Sequence, residues 1–115
     1  MAITEYASGS ATIGTTEWSL TTNTAGPDAD ATDGVFQCWI DLNALAAGDL
    51  FEVIFYEKAR AADTQRKVEE WYFDGAQSEP IWCSPSFILL HGWDFTLKKI
   101  SGTDRTITWS IRQVA

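Results

Sequence analysis

The chain has 115 residues, enough for one domain, since domains most often contain about 100–150 residues. Sixteen acidic residues against eight basic ones give a formal net charge of −8, which argues against a nucleic-acid binder because phosphate recognition needs a basic surface. Six Trp residues and a hydrophobic content of 45% support a packed core and exclude intrinsic disorder.

The first third of the chain predicts little regular structure. Residues 1–33 are rich in Thr, Ser, Ala and Gly, with isolated apolar residues between them. This composition predicts an extended arm with one or two short strands, followed by a turn-rich stretch over residues 25–34. We assign residues 1–16 to an extended N-terminal arm and residues 17–115 to a single β-sandwich domain.

Two strands are predicted in the middle of the chain. From residue 35 to 42 apolar side chains alternate with others. One face carries Phe36, Cys38, Ile40 and Leu42, and Trp39 lies on the opposite face. Residues 50–58 form a second run, in which Phe51, Val53 and Phe55 share a face. The opposite face is partly apolar as well, which indicates a central strand or one covered on both sides.

The C-terminal half predicts four more strands. Residues 65–74 and 87–90 are two of them, separated by a Pro-bracketed loop over residues 79–85 whose Ile-Trp-Cys centre is too apolar to be simply solvated. Residues 93–100 are the third. Residues 101–104 resemble a hairpin turn into the last strand, 106–112, so the final two strands are predicted to pair with each other.

Seven or eight short strands, with no helical periodicity longer than about ten residues, predict an all-β fold. We expect an antiparallel β-sandwich or a jelly-roll-like barrel. Bulky aromatic residues suit this architecture, because two inner sheet faces lie about 10 Å apart and the space between them must be filled.

Metal, cofactor and membrane functions have little support in the sequence. Cys38 and Cys83 lack metal-ligand spacing, and two reduced thiols are favoured over a disulfide. The acidic stretch 28–34 departs from a calcium loop at its twelfth position, Trp39, so we expect no metal and no cofactor. No apolar run reaches the length of about 18 residues that a membrane span needs, and no secretory signal opens the chain.

Catalysis is also disfavoured. The single histidine, His91, lies near Asp94, but no strained nucleophile turn accompanies them, and a structural role is the simpler interpretation. Glu69 and Glu70 point to opposite faces of a strand and cannot act as a pair. We therefore expect a protein that is not an enzyme.

Aromatic residues outside the predicted core suggest a binding surface. Trp39, Tyr56, Tyr72 and Trp82 could stack on sugars or dock a protein, and a protein interface accounts for so many with fewer assumptions. The charge is uneven as well. Residues 1–57 contain nine acidic residues and no basic one, whereas residues 58–115 carry a net charge of +1.

Several segments resemble a group of small tailed-phage proteins. They are the opening MAITEYAS, the segment WIDLNALAAGD at residues 39–49, the block from Ala76 to Leu97, and WSIR at residues 109–112. Short all-β proteins of that group are typically virion components, most commonly capsid decoration or cement proteins. The resemblance implies no catalytic residue.

The resemblance and the composition together predict a phage decoration or cement protein on the outer capsid surface, assembled in the bacterial cytoplasm. Its expected partners are the major capsid protein or another virion protein. The chain is also expected to form a homo-oligomer, with a trimer as the expected state. A tail, neck or head-fibre component and a carbohydrate-binding module are the alternatives. The predicted contact residues are four aromatic and three acidic ones: Tyr6, Trp18, Trp39, Trp82, Asp28, Asp30 and Asp33.

Overall fold

Two antiparallel sheets account for almost all the regular structure in the computed structural model, which describes residues 2–114. Over those residues there are ten strands and no helix. The predicted all-β antiparallel sandwich is therefore confirmed. The strand number exceeds the predicted seven or eight because several strands contain only two or three residues.

Each sheet contains five strands. Sheet A has the spatial order β1 (Ile3–Ile13), β10 (Arg105–Val114) and β4 (Gly34–Asp41), and the far edge of β4 pairs with both β7 (Ile81–Cys83) and β8 (Phe87–Leu89). Sheet B has the order β3 (Thr24–Ala25), β2 (Trp18–Ser19), β9 (Asp94–Ser101), β5 (Leu50–Glu57) and β6 (Arg66–Asp74).

The hydrophobic core fills the space between the sheets. Phe36 of β4 lies with its ring centroid 4.4 Å from that of Trp93, and Phe95 of β9 stacks on Phe55 of β5 at 5.0 Å. Trp93 is fully buried, and its indole N–H donates to the carbonyl of Thr32 at 2.9 Å. Aromatic pairs of this kind supply the bulk that a sandwich interior requires.

The alternation predicted for the two central strands is confirmed. In β4 every second side chain from Phe36 to Ile40 is buried, while Trp39 is half-buried on the outer side. In β5 the six residues 51–56 are all buried, because β6 and β9 flank this strand on its two edges and long side chains cover its outer face. Ile54, which points outward, is 0% exposed.

The predicted pairing of the last two strands is wrong. β9 pairs with β2 and β5 in sheet B, and β10 pairs with β1 and β4 in sheet A, so neither strand has an edge free for the other. The segment that connects β9 to β10 passes from sheet B to sheet A at the end of the sandwich, where it contacts Asp49. The Asp49 carboxylate accepts the Thr103 N–H at 3.0 Å and the Arg105 Nε–H at 2.7 Å, and Gly102 adopts a φ of +99° beside it.

The segment expected as an N-terminal arm is part of the sandwich. β1 pairs with β10 along its length, from Ile3 opposite Val114 to Ile13 opposite Arg105. Small side chains make this possible, because a Cβ at Gly9 would come within 2.6 Å of the Trp109 indole. The boundary predicted after residue 16 therefore does not separate an arm from the sandwich, although Met1 lies outside the described residues.

Candidate functional site: the outer face of sheet A

Four of the eight large apolar side chains that are exposed in the described part of the chain lie on the solvent side of sheet A: Ile3, Ile81, Ile88 and Val114. Cross-strand pairs point to the same side of a sheet, so the register identifies the members of this surface. Ile88 pairs with Val35, Cys83 with Trp39, and Ile3 with Val114. We call the surface the A face and define it by eight residues: Ile3, Val35, Trp39, Ile81, Cys83, Ile88, Arg112 and Val114.

Three isoleucine side chains of the A face are more than half exposed. Ile88 is 87% exposed, Ile3 68% and Ile81 55%. Monomeric proteins rarely expose contiguous apolar patches of large area, and such patches commonly mark interaction sites. The A face therefore has the character of a docking surface.

Trp39 lies at the centre of the A face. Its indole N–H donates to Gln37 Oε1 at 3.1 Å, and the guanidinium carbon of Arg112 lies 4.4 Å from its ring centroid. Two open hollows of about 190 and 200 Å³ flank the residue, and both are lined by Trp39 and Arg112. A stacked Trp–Arg pair beside hollows resembles the aromatic and Arg anchors that dominate protein interfaces.

The outer face of sheet B has a different character. The Tyr56 hydroxyl and the Thr96 hydroxyl both donate to the Glu17 carboxylate, and Lys98 Nζ lies 3.6 Å from Glu52. Burial, followed by the hydrogen bond to Glu17, raises the pKa of Tyr56. These polar groups satisfy one another across the sheet, and the exposed apolar side chains of sheet B, Val68, Tyr72 and Ile100, lie on its strands β6 and β9.

A similar network continues on the exposed strand β6. The Tyr72 hydroxyl donates to Glu70 Oε2 at 2.7 Å, and Lys67 lies 3.3 Å from the same carboxylate. The Tyr72 hydrogen bond is the largest of the influences that lower the pKa of Glu70 to about 2. Charged residues therefore dominate this edge of sheet B.

Like Trp39, the other three predicted aromatic contacts have partners within the chain. The Tyr6 hydroxyl donates to Asp30 Oδ2 at 2.7 Å and its ring packs edge-on against Phe36. The Trp18 indole N–H donates to the side chain of Asn23. The Trp82 ring contacts Trp71 and Phe73 on the inner side of sheet A. Trp39 alone among the four belongs to the A face.

The three predicted acidic contacts lie in the loop before β4. Asp28 accepts the Thr22 hydroxyl at 2.7 Å, and Asp30 accepts the Tyr6 hydroxyl, so both carboxylates have internal partners. Asp33 is exposed, and its carbonyl accepts the side-chain amide of Gln113. Contact between these residues and a partner stays a prediction. Within residues 2–114 no group of three His, Cys, Asp or Glu residues is placed to hold a metal ion.

The two cysteines lie on opposite sides of sheet A and are not bonded to each other. Cys38 is fully buried, and burial raises the pKa of its thiol. Cys83 is exposed beside Trp39. The sequence prediction of two free thiols is confirmed.

His91 and Asp94 do not form a pair. The backbone N–H of His91 donates to Glu57 Oε2 at 3.2 Å, whereas Asp94 is buried and accepts hydrogen bonds from Thr21 and from the backbone of Asp28. A hollow of about 520 Å³ lies at the connection between β5 and β6. His91 does not line it, so these two residues do not share a cavity there.

Most members of the A face were missed by sequence reasoning. Alternation placed Trp39 off the core, but Ile81 and Ile88 lie in three-residue strands that are too short for a periodic signal. The available signal was the apolar content of the Pro-bracketed loop, where solvated residues would be expected.

Comparison with known proteins adds no relative: no family model, no curated protein and no solved structure matches this chain. In the part of the chain from residue 2 to residue 114, no helix is long and apolar enough to cross a membrane.

Proposed function

We propose that this chain is a non-enzymatic structural protein of a phage virion, a decoration or cement protein that binds the outer capsid surface through the A face. The observation that carries the proposal is the cluster of exposed apolar residues around Trp39 on one outer face, beside an opposite face that satisfies its own polar groups. The phage assignment rests on the sequence segments that resemble small tailed-phage proteins.

The binding would follow from burial of apolar area. Ile81 and Ile88 are more than half exposed, and covering such side chains stabilises a complex by roughly 25 cal/mol for each Å² removed from water. Trp39 and Arg112 at the centre would supply the anchor. If the chain binds the assembled capsid lattice and not the dissociated capsid subunits, its binding stabilises the lattice by mass action.

A sugar-binding role is less well supported at the two Trp residues considered for it. The Arg112 guanidinium already lies over the Trp39 ring, and Trp82 packs against Trp71 and Phe73. A sugar would have to displace these contacts to stack on either ring. A tail or neck protein could use the same A face to bind a different partner. The place in the particle where the chain binds therefore distinguishes this alternative from a decoration protein.

Binding to capsids that lack the chain tests the proposal. Purified chain is added to such capsids and the bound fraction is measured by co-sedimentation. Ile81→Asp and Val68→Asp form a matched pair, because both side chains are 55% exposed and only Ile81 lies on the A face. We expect Ile81→Asp to weaken binding by about tenfold or more, since a charge would be buried in an apolar contact.

Val68→Asp is expected to bind like the unaltered chain, because Val68 lies on β6 of the other sheet. Equal loss in both variants, or binding to purified tails with none to capsids, would contradict the proposal. A cement role adds a second readout: capsids carrying the chain should release DNA at a higher temperature than capsids without it.

A further inference from the structure

The four outer edges of the two sheets are unequally protected. Exposed strand edges offer unpaired N–H and C=O groups to other chains, and proteins protect them with charge, proline or short strands. β3 has two residues, and β7 has three and follows Pro80. β6 carries five charged residues among its nine. Each of these edges therefore has a recognisable protection.

β1 lacks these protections. It is the longest strand, with eleven residues, and Glu5 is its single charged residue. β10 is the only strand that pairs with it among residues 2–114, so its second edge faces away from the sheet. The one protective device is a bulge between Glu5 and Ala7, which leaves the seven residues Ala7–Ile13 regular.

From this comparison we infer that the free edge of β1 is a pairing site for β1 of a second copy of the chain. The two strands would run antiparallel about a two-fold axis at Ser10, joining two copies of sheet A into one continuous sheet. The A faces of both copies would then lie on the same side of that sheet. The pairing itself is independent of what the A face binds.

Self-complementarity favours a second copy over an unrelated strand. With Ser10 on the axis, Ala7 lies opposite Ile13 of the partner subunit, and Gly9 lies opposite Ala11 of the partner subunit. Both pairs point toward the core side, and the exposed Ser8 would face Thr12 of the partner subunit on the outer side. The same side-chain alternation thus fits from both strands, which an isologous contact requires.

Charge restricts contact between two copies to uncharged parts of the surface, and the free edge of β1 is one of them. Each copy carries a formal charge of −8, so two copies repel each other at most surfaces. The stretch Ala7–Ile13 contains no charged residue, and Glu5 lies outside it, so no carboxylates are brought opposite each other. The side chains are small, which lets two backbones approach to the strand spacing of about 4.8 Å.

Sedimentation of the purified chain tests this pairing. We expect a monomer–dimer equilibrium that is resolved at concentrations up to about 100 µM, and that strengthens as salt screens the net charge. Ser10→Glu places two carboxylates opposite each other at the axis and should raise the dimer Kd by about fivefold or more. Thr108→Glu is the matched control.

Thr108 lies directly opposite Ser10 on β10, exposed on the same outer side but one strand away from the free edge. Thr108→Glu adds the same charge to the chain and should leave the Kd close to its original value. A chain that stays monomeric throughout, or equal weakening by both variants, would overturn the inference.

Cross-linking provides an outcome that does not depend on affinity differences. In a Cys83→Ser background, Ser10→Cys should form a disulfide-linked dimer on mild oxidation, because opposed Cβ atoms in paired strands lie about 5 Å apart. Thr108→Cys in the same background should not, since three strand spacings, about 14 Å, would separate the two sulfurs. Cys38 is buried and does not compete. Cross-linking of both variants, or of neither, would contradict the pairing at Ser10.

Discussion

Asp94 provides a quantitative test of the energetics of the sandwich. This carboxylate is 0% exposed at the start of β9. Its Oδ2 accepts the backbone N–H of Asp28 at 2.9 Å, and its Oδ1 accepts the Thr21 hydroxyl at 2.8 Å. Burial outweighs these hydrogen bonds and raises the pKa of Asp94 to about 6.

The shift has a definite sign for stability. A pKa near 6 in the folded chain, against 3.8 for an ordinary Asp, means that the folded state binds the proton more tightly than the unfolded state. The resulting stabilisation is present below about pH 3.8 and is lost as the pH rises through about 6. A shift of about two units corresponds to roughly 3 kcal/mol, of which about 2 kcal/mol is lost between pH 4.5 and 7.

Urea unfolding at a series of pH values measures this loss. We expect the free energy of unfolding to decrease by about 2 kcal/mol from pH 4.5 to 7. Below about pH 4 it should decrease again, because Asp49 and Glu70 have lowered pKa values and lose their favourable contacts when protonated. Asp94→Asn cannot ionise and should remove most of the slope between pH 4.5 and 7. A slope of the opposite sign, or the same slope in Asp94→Asn, would refute the reasoning.

Two further substitutions test local features of the fold. Gly102→Ala should lower the melting temperature far more than Gly48→Ala, although both glycines have positive φ. A Cβ at Gly102 would come within 2.6 Å of the Asp49 Cα, whereas a Cβ at Gly48 would meet nothing within 4 Å. Equal melting temperatures of the two variants would contradict the close packing at this turn. Tyr6→Phe removes the hydroxyl that donates to Asp30 and should reduce the free energy of unfolding by about 1–2 kcal/mol in urea titration, so no measurable loss would indicate that this contact is not maintained in solution.

The sequence predicts those parts of the fold in which one strand determines its own pattern. Alternation in β4 identified the buried and outer side chains correctly, because every second residue faces the core. The doubly apolar β5 was likewise predicted as a covered strand. Both inferences depend only on the period of two within a strand.

Features that depend on strand partners were not predictable in this way. The turn at residues 101–104 resembles a hairpin locally, but β9 and β10 belong to different sheets because other strands occupy their edges. β1 resembled an arm because its side chains are small, and those small side chains are what allow it to pack beside Trp109. Composition alone cannot distinguish Gly and Ala residues of a flexible arm from Gly and Ala residues of a strand that packs closely against an aromatic ring.

The candidate site was predicted only in part for the same reason. Trp39 was placed off the core by alternation within β4, whereas the A face also requires Ile81 and Ile88 from two short strands that pair with β4. Tyr6 and Trp82 were predicted as contacts because they are aromatic, but their rings pack within the chain. Residue type identified candidates, and strand register determined which of them share a surface.

The central claim is that the A face docks this chain onto a capsid, and a cryo-electron microscopy reconstruction of the intact particle tests it most directly. We predict many copies distributed over the outer shell, each with Trp39 and Ile81 against the capsid and the sheet B side toward solvent. Copies confined to a single vertex ring, absence of the chain from the particle, or an A face directed toward solvent would contradict the claim.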